Sequence, residues 1–270
     1  MATALTRQNN SRLSMGTAVL WLSVIVLLPL IALTTEALSG GLSGFWETLT
    51  SDGAVDALRV TVTVSLIVAV LNAVTGTLIA WVLVRDDFPG KRIVDAVIDL
   101  PFALPTIVAS LVLLSIYGPD SPIGITLNAT QPALVIALAF VTLPFVVRAV
   151  QPVLIELDKD VEEAAASLGA SNTTIFRRII LPALWPAVLS GTGLAFARAI
   201  GEYGSVVLIG GNIPGDTQVA SQYIQEQIES DVPSAAAVSI ALLAITFIVL
   251  LALRLVGERA TSGKKKEQDA

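Results

Sequence analysis

The sequence contains no cysteine and no histidine. Without cysteine there is no disulfide, no thiolate nucleophile and no thiolate metal site. Without histidine the commonest general base and metal ligand is missing too. A carboxylate metal site stays open in principle, but no cluster of acids supports one. No GxxxxGK(S/T) phosphate loop occurs, so this chain is not expected to hydrolyse ATP itself. Charge is scarce: 14% of the 270 residues are charged, against about 25% in soluble domains. What is abundant is apolar. Hydrophobic residues make up 54% of the chain, and the mean hydropathy is +0.79. The bilayer is therefore the expected solvent of the fold. The net charge is −6, and no nucleic-acid partner is expected.

Six apolar stretches, the fifth of them interrupted by two charges, approach the ~20 residues needed to cross a bilayer as a helix. They are Thr17 to Leu33, Val60 to Val84, Leu100 to Gly118, Gln131 to Val147, Ala183 towards Ile209, and Val232 to Leu253. Prolines 29, 101, 105, 144 and 186 lie within them, which a membrane bundle tolerates because neighbours satisfy the freed carbonyls. The first stretch is longer than the apolar region of a cleaved signal peptide and is expected to be a retained helix. The expected fold is an all-α polytopic membrane protein with six spans over 17–256. A short arm (1–16) precedes them and a basic tail (257–270) follows.

Basic residues alternate between connections. Arg7 and Arg12, then Arg85, Lys91 and Arg92, then Arg148, Lys159, Arg177 and Arg178, then Arg254, Arg259 and Lys264 to Lys266 fall on one side. The connections on the other side hold nine acids and no Lys or Arg. By the positive-inside rule both termini are expected in the cytoplasm of a cell-membrane protein. The acidic exterior either repels anions or keeps the loops solvated at high salt. Within it, Thr217 to Glu229 reads as an amphipathic helix with Val219, Tyr223, Ile224 and Ile228 on one face. It rests on the bundle or forms a lip for an outer partner.

The most informative stretch is Asp160 to Pro182, DVEEAAASLGASNTTIFRRIILP. Asp160 is placed to N-cap a helix, with Glu163 reaching back. Gly169 ends that helix. Ser171 caps a second, and Pro182 marks the entry to the next span. Local physics alone allows an ordinary inter-helix loop. The spacing Glu163-Ala164-Ala165, Gly169, Ile179 and Leu181-Pro182, however, resembles the EAA signature of ABC importer permeases. LPFALPTIVASLVLL (Leu100 to Leu114), YGPDSPIG (Tyr117 to Gly124), TLPFVVRAVQPVLIEL (Thr142 to Leu157) and FARAIGEYGSVVLIGGNIPGDTQVAS (Phe196 to Ser221) are similar to the sulfate/thiosulfate branch of that family. Molybdate and tungstate permeases carry similar stretches, but often one helix fewer.

The resemblance implies a non-catalytic permease subunit whose loop 158–182 docks on an ATPase. It also implies a second permease subunit, the same or related, and an extracytoplasmic binding protein. ATP and magnesium would bind the ATPase and not this chain. An ion-coupled secondary transporter is the rival class. It would need intramembrane carboxylates, for which Glu202 and Asp99 are the few candidates.

Arg198 and Glu202 are four apart inside the fifth stretch and are expected to pair on one helix face. With Gly201 and Gly204 they form the candidate translocation path or gate. A fixed structural pair, an oxyanion contact and a switchable pair all remain open. Thr61, Thr63 and Ser65 read as tolerated helix residues, and Arg59 as a snorkelling end residue. Asn72 and Thr75 either line a pore or bridge helices.

Overall fold

The computed structural model describes residues 14–268, with side chains to residue 257. Arg7 and Arg12 of the arm, and the tail bases Arg259 and Lys264 to Lys266, lie outside the described residues or side chains. The regular structure among the described residues is helical throughout.

Five helices are long and apolar enough to cross a membrane: α1 (Ser14–Ala37), α3 (Asp52–Arg85), α7 (Gln131–Glu156), α9 (Asn172–Ile200) and the Val232–Gly257 part of α11 (Val232–Gln268). Between them lie α2 (Gly41–Thr50), α4 (Lys91–Ile98), α5 (Leu100–Ala103), α6 (Thr106–Tyr117), α8 (Lys159–Ser167) and α10 (Ala220–Ser230). The protein is thus an all-α, multi-pass membrane protein, with five long apolar helices and one shorter among the described residues.

The shorter one corrects the expected third span, Leu100 to Gly118. That stretch breaks at Leu104, whose backbone is extended ahead of Pro105. Proline disfavours the helical conformation of the residue before it and lacks the N–H to continue the ladder. The 12 residues of α6 reach about 18 Å, short of the ~30 Å hydrocarbon core.

The second span also differs. It begins at Asp52 and carries Arg59 within it, because helix propagation does not stop at a single charge. The fifth span begins upstream of Ala183 and ends at Ile200, short of Ile209. The second short helix of the 158–182 stretch is therefore the start of α9. Its turn Phe176–Ile180 is π-helical, and Leu181 N–H bonds to Phe176 O, five residues back. That wider turn carries the chain past Pro182, which has no N–H of its own to offer.

The chain divides into two compact units. One comprises Asp52–Tyr223 with Leu242–Ala270, the other Met1–Ser51 with Ile224–Ala241. In the larger, α3, α7 and α9 pack on one another. One cluster joins Val60, Val64 and Val68 of α3 to Leu134 and Leu138 of α7 and to Val206 and Ile209. A second joins Ala80 and Leu83 to Val146, Val147, Val150 and Leu154 and to Ile180 and Leu184 of α9. Close approach at α7 depends on glycine. A Cβ on Gly76 of α3 would lie 2.8 Å from Val146 Cβ, and one on Gly191 of α9 would lie 2.9 Å from Val146 Cα. Phe196 and Ile200 pack with Leu242, Ile245 and Val249 of α11.

In the smaller unit, Ala37, Ala236 and Ala237 form a small core with Leu33, Phe45 and Leu49. Thr48 and Ser234 share a hydroxyl hydrogen bond at 3.0 Å. The apolar side chains of α1 from Val19 to Leu22 are exposed in the chain by itself, as expected of a surface that lipid or a partner covers.

Candidate functional site

The 158–182 stretch is built by three local devices. Asp158, rather than the expected Asp160, is the N-cap of α8, and its Oδ1 accepts the Asp160 N–H at 3.0 Å. Asp158 has extended backbone while Asp160 is already helical, and only a residue outside the helix can turn its side chain onto the first free N–H groups. The expected reach of Glu163 back to Asp160 is accordingly not made, and Glu163 stays exposed. Gly169 ends α8 as expected. Its φ is +87°, Gly169 N–H bonds Ala166 O at 2.9 Å and Ala170 N–H bonds Ala165 O at 3.0 Å. Ser171 caps α9 by accepting the Thr174 N–H at 3.3 Å, again as expected.

The motif residues do not share one surface. Glu163, Ala164 and Gly169 are exposed, together with Leu168, which is 90% exposed. Ile179, Leu181 and Pro182 are half-buried, and Ile179 packs against the cluster around Ile180 and Leu184. One set faces outward and the other seats the start of α9 in the bundle. An open cavity of about 470 Å³ lies beside α8, with Trp81, Glu162, Glu163, Ala166 and Phe176 among its walls.

Sequence reasoning passes over the contact that holds α8. Arg85, the last residue of α3, donates from Nη2 to Glu162 Oε1 at 2.5 Å. Only Glu163 belongs to the spaced motif, so no pattern distinguishes Glu162.

The second group surrounds two helix breaks. Arg198 and Glu202 form the expected ion pair. They do not share a helix, because α9 ends at Ile200 and Glu202 lies in the following turn. Glu202 is buried and also accepts the Ser205 N–H at 2.8 Å. Its burial is compensated twice, by a cation and by a backbone donor, as a buried carboxylate requires. Gly204 meets the other break: an added Cβ would lie 2.2 Å from Thr106 Oγ1 and 3.1 Å from Ile107 N. Ser110 of α6 accepts N–H groups of Leu208 at 3.1 Å and Ile209 at 3.3 Å. The non-helical backbone after Ile200 is thus satisfied partly by one α6 side chain and partly by its own turns, such as Val206 N–H to Tyr203 O at 3.2 Å and Gly210 N–H to Val206 O at 2.8 Å. Gly201 faces open space.

Two further residues differ from their sequence reading, and for Asn72 one of its two alternatives is observed. Arg148 is more than an inward-side charge. Its guanidinium binds Asp99 through Nε and Nη2 and Asp95 through Nη1. Asp99 is thereby paired and not a free ion site. Thr61 is more than a tolerated helix residue, since its Oγ1 accepts the Ala220 N–H at 2.6 Å. Asn72 bridges helices, donating to Thr142 Oγ1 at 2.8 Å and Ala139 O at 3.1 Å. Thr75 only returns to Leu71 O of its own helix. In the 217–229 segment the helix is Ala220–Ser230. Val219 is buried just before it and Tyr223 and Ile224 are half-buried, but Ile228 is 50% exposed. The expected apolar face is therefore only partly covered.

Residues 72–262 match the family described as the binding-protein-dependent transport system inner membrane component. A sulfate transport system permease protein CysT of Synechocystis sp. is 45% identical over 246 residues, covering 88% of this chain and 86% of the relative. The protein of that name from Synechococcus elongatus is 44% identical over 253 residues, covering 90% and 91%. Among solved structures, a bacterial ABC transporter involved in import of the acidic polysaccharide alginate has a chain that superposes with a TM-score of 0.77. At 15% identity it covers 95% of this chain and 98% of its own. That likeness concerns the fold. The family match spans most of the chain, including α8 and both helix breaks, and so the chain belongs to the inner-membrane components of binding-protein-dependent transport systems.

Proposed function

We propose that this chain is the permease subunit of an ATP-driven importer that carries sulfate and thiosulfate into the cell. The observation that carries the reading is the relationship to the CysT permeases, 45% and 44% identical over most of both chains. The chain contributes contacts that differ between two states rather than catalysis. Both termini and α8 lie in the cytoplasm. Two ATPase subunits bind ATP and magnesium there. A second permease subunit, identical or related, completes the pore, and an extracytoplasmic binding protein delivers the anion.

In this reading α8 is the coupling helix. Its exposed Glu163, Ala164, Leu168 and Gly169 enter the ATPase cleft, while Ile179, Leu181 and Pro182 anchor the far side of the turn. Ala165, half-buried, lets α8 sit close to the bundle. The breaks at Leu104–Pro105 and Gly201–Gly204 are the gate. Arg198 and Glu202 pin the second break, and the pair cancels its own charge, so it fixes backbone more than it attracts an anion.

The test is ATP-dependent uptake of radiolabelled sulfate by proteoliposomes holding the chain with its ATPase and binding protein. Saturable uptake that thiosulfate suppresses is expected. Uptake of molybdate in preference to sulfate would move the substrate to the neighbouring branch. Uptake without any ATPase would remove the chain from ATP-driven transport altogether.

A further inference from the structure

The segment between α9 and α10 is held at its two ends by different helices. Its upstream end continues α9, which runs unbroken from Asn172 to Ile200 and starts at the turn that follows α8. Its downstream end is held by α3. Thr61 of α3 accepts the Ala220 N–H at 2.6 Å. The next residue, Ser221, donates its hydroxyl to Glu202 O at 2.7 Å, which joins the two ends directly and is the contact that a relative displacement must break. A Cβ on Gly53 of α3 would lie 3.0 Å from the Tyr223 ring.

The other end of α3 reaches α8. Thr61 and Arg85 are about 36 Å apart along the helix at 1.5 Å per residue. Arg85 bonds Glu162 at 2.5 Å, with 12% and 20% of the two side chains exposed. Pairs this shielded are screened little by salt. The Arg85 guanidinium lies 5.5 Å from the Trp81 ring centroid, and Trp81 meets Phe176 of α9 edge-on at 5.8 Å.

We propose that the Arg85–Glu162 pair is the tie through which α8 moves α3, and that α3 and α9, both driven from α8, displace the two ends of the Gly201–Ala220 segment relative to each other. Arg85 is then a positioning residue for coupling. The inference rests on the reading of α8 as the coupling helix. α9 alone would carry the segment's upstream end and leave the downstream end behind. α3 makes the motion a shear between two rods, a mode in which packed helices slide by small amounts.

The chain has no native cysteine, so one introduced thiol is the only one it carries, and labelling is read on this subunit after the subunits are separated. Tyr203→Cys, at a site beside the break that is 39% exposed, is placed in the complete complex with its ATPase subunits. Maleimide labelling is timed with and without ATP. A several-fold change in rate on ATP binding is expected in this parent. E162Q and R85Q should lose that change while ATP hydrolysis continues, and the exchange R85E with E162R should restore it. Variants are scored after co-purification with the ATPase. If R85Q does not assemble, the isosteric E162Q decides. An undiminished ATP response in E162Q overturns the proposal, and so does an assembled charge exchange that fails to respond. A parent that ignores ATP overturns it together with the coupling reading. A parent that responds to ATP but carries no sulfate overturns only the substrate assignment.

Discussion

Arg148 forks onto Asp99: Nε donates to Oδ1 at 2.8 Å and Nη2 to Oδ2 at 2.6 Å. The bidentate fit draws the junction of α4 and α5 against α7, ahead of the break at Leu104. Asp95 adds a bond to Nη1 at 2.6 Å. On the other side of α4, Ile93 is 70% exposed and Val97 52%. The helix thus turns its acids inward and its apolar residues outward, the reverse of a helix in water.

D99N removes the charge and one acceptor of the fork while keeping its shape. Both acids are about half-exposed, at 41% and 48%, so the loss is discounted to about 1 kcal/mol or less. A lower melting temperature of the detergent-solubilised protein checks it. Protease or thiol probes placed in the 91–103 segment should react faster. An unchanged melting point in the double variant D95N/D99N would remove any role for the pair in stability.

Gly191→Ala should destabilise the bundle by about 1–3 kcal/mol through overpacking, because the new methyl would lie 2.9 Å from both Ala149 Cβ and Val146 Cα. Gly201→Ala, whose Cβ meets nothing within 4 Å, should leave the melting temperature unchanged. Thermal unfolding of the two variants side by side is the measurement. Equal effects would mean that α7 and α9 are not in contact here.

R198Q should impair assembly, since it leaves the buried Glu202 with only the Ser205 N–H for compensation. The double variant R198Q/E202Q removes both charges and should restore assembly. If the pair serves only to pin the break, the double variant also transports within a few-fold of the parent. Normal assembly with abolished sulfate uptake would instead show that Arg198 touches the anion.

Gly169→Val and Glu163→Lys should both insert and assemble as membrane proteins, because neither side chain is packed in the bundle. Valine at a φ of +87° costs roughly 1–2 kcal/mol locally and distorts the exit from α8. The expected result is ATP hydrolysis that continues while uptake falls. Normal sulfate uptake by both variants would make 158–182 an ordinary connection.

The parts legible in the sequence are those set by local or one-dimensional properties. Five of the six expected spans exist as long apolar helices, because twenty apolar residues have no alternative in a bilayer but to satisfy their backbone internally. The turn at Gly169 and the cap at Ser171 were legible because each depends on a single residue's conformation. Helix limits were less so. Charge marked the wrong start for α3 at Arg59, and proline marked the wrong start for α9 at Pro182, where a π turn carries the helix through. The capping residue slipped from Asp160 to Asp158, since two acids two residues apart offer equal chemistry and only backbone conformation separates them.

Composition, hydropathy, the order of charges and the spacing from Glu163 to Pro182 suffice for the class of protein: a membrane-spanning transport component. None of them says which residue meets which. Arg85 finds Glu162 rather than the motif's Glu163, Arg148 gathers Asp95 and Asp99, Thr61 reaches Ala220, and Gly204 lies against Thr106. Each partnership joins residues that are distant in the chain and brought together by the packing of α3, α7 and α9. Residence in the bilayer follows from local hydropathy, but pairing follows from the relative rotation and height of whole helices. Those depend on glycine contacts such as Gly76 and Gly191 against Val146, and only the folded bundle decides them.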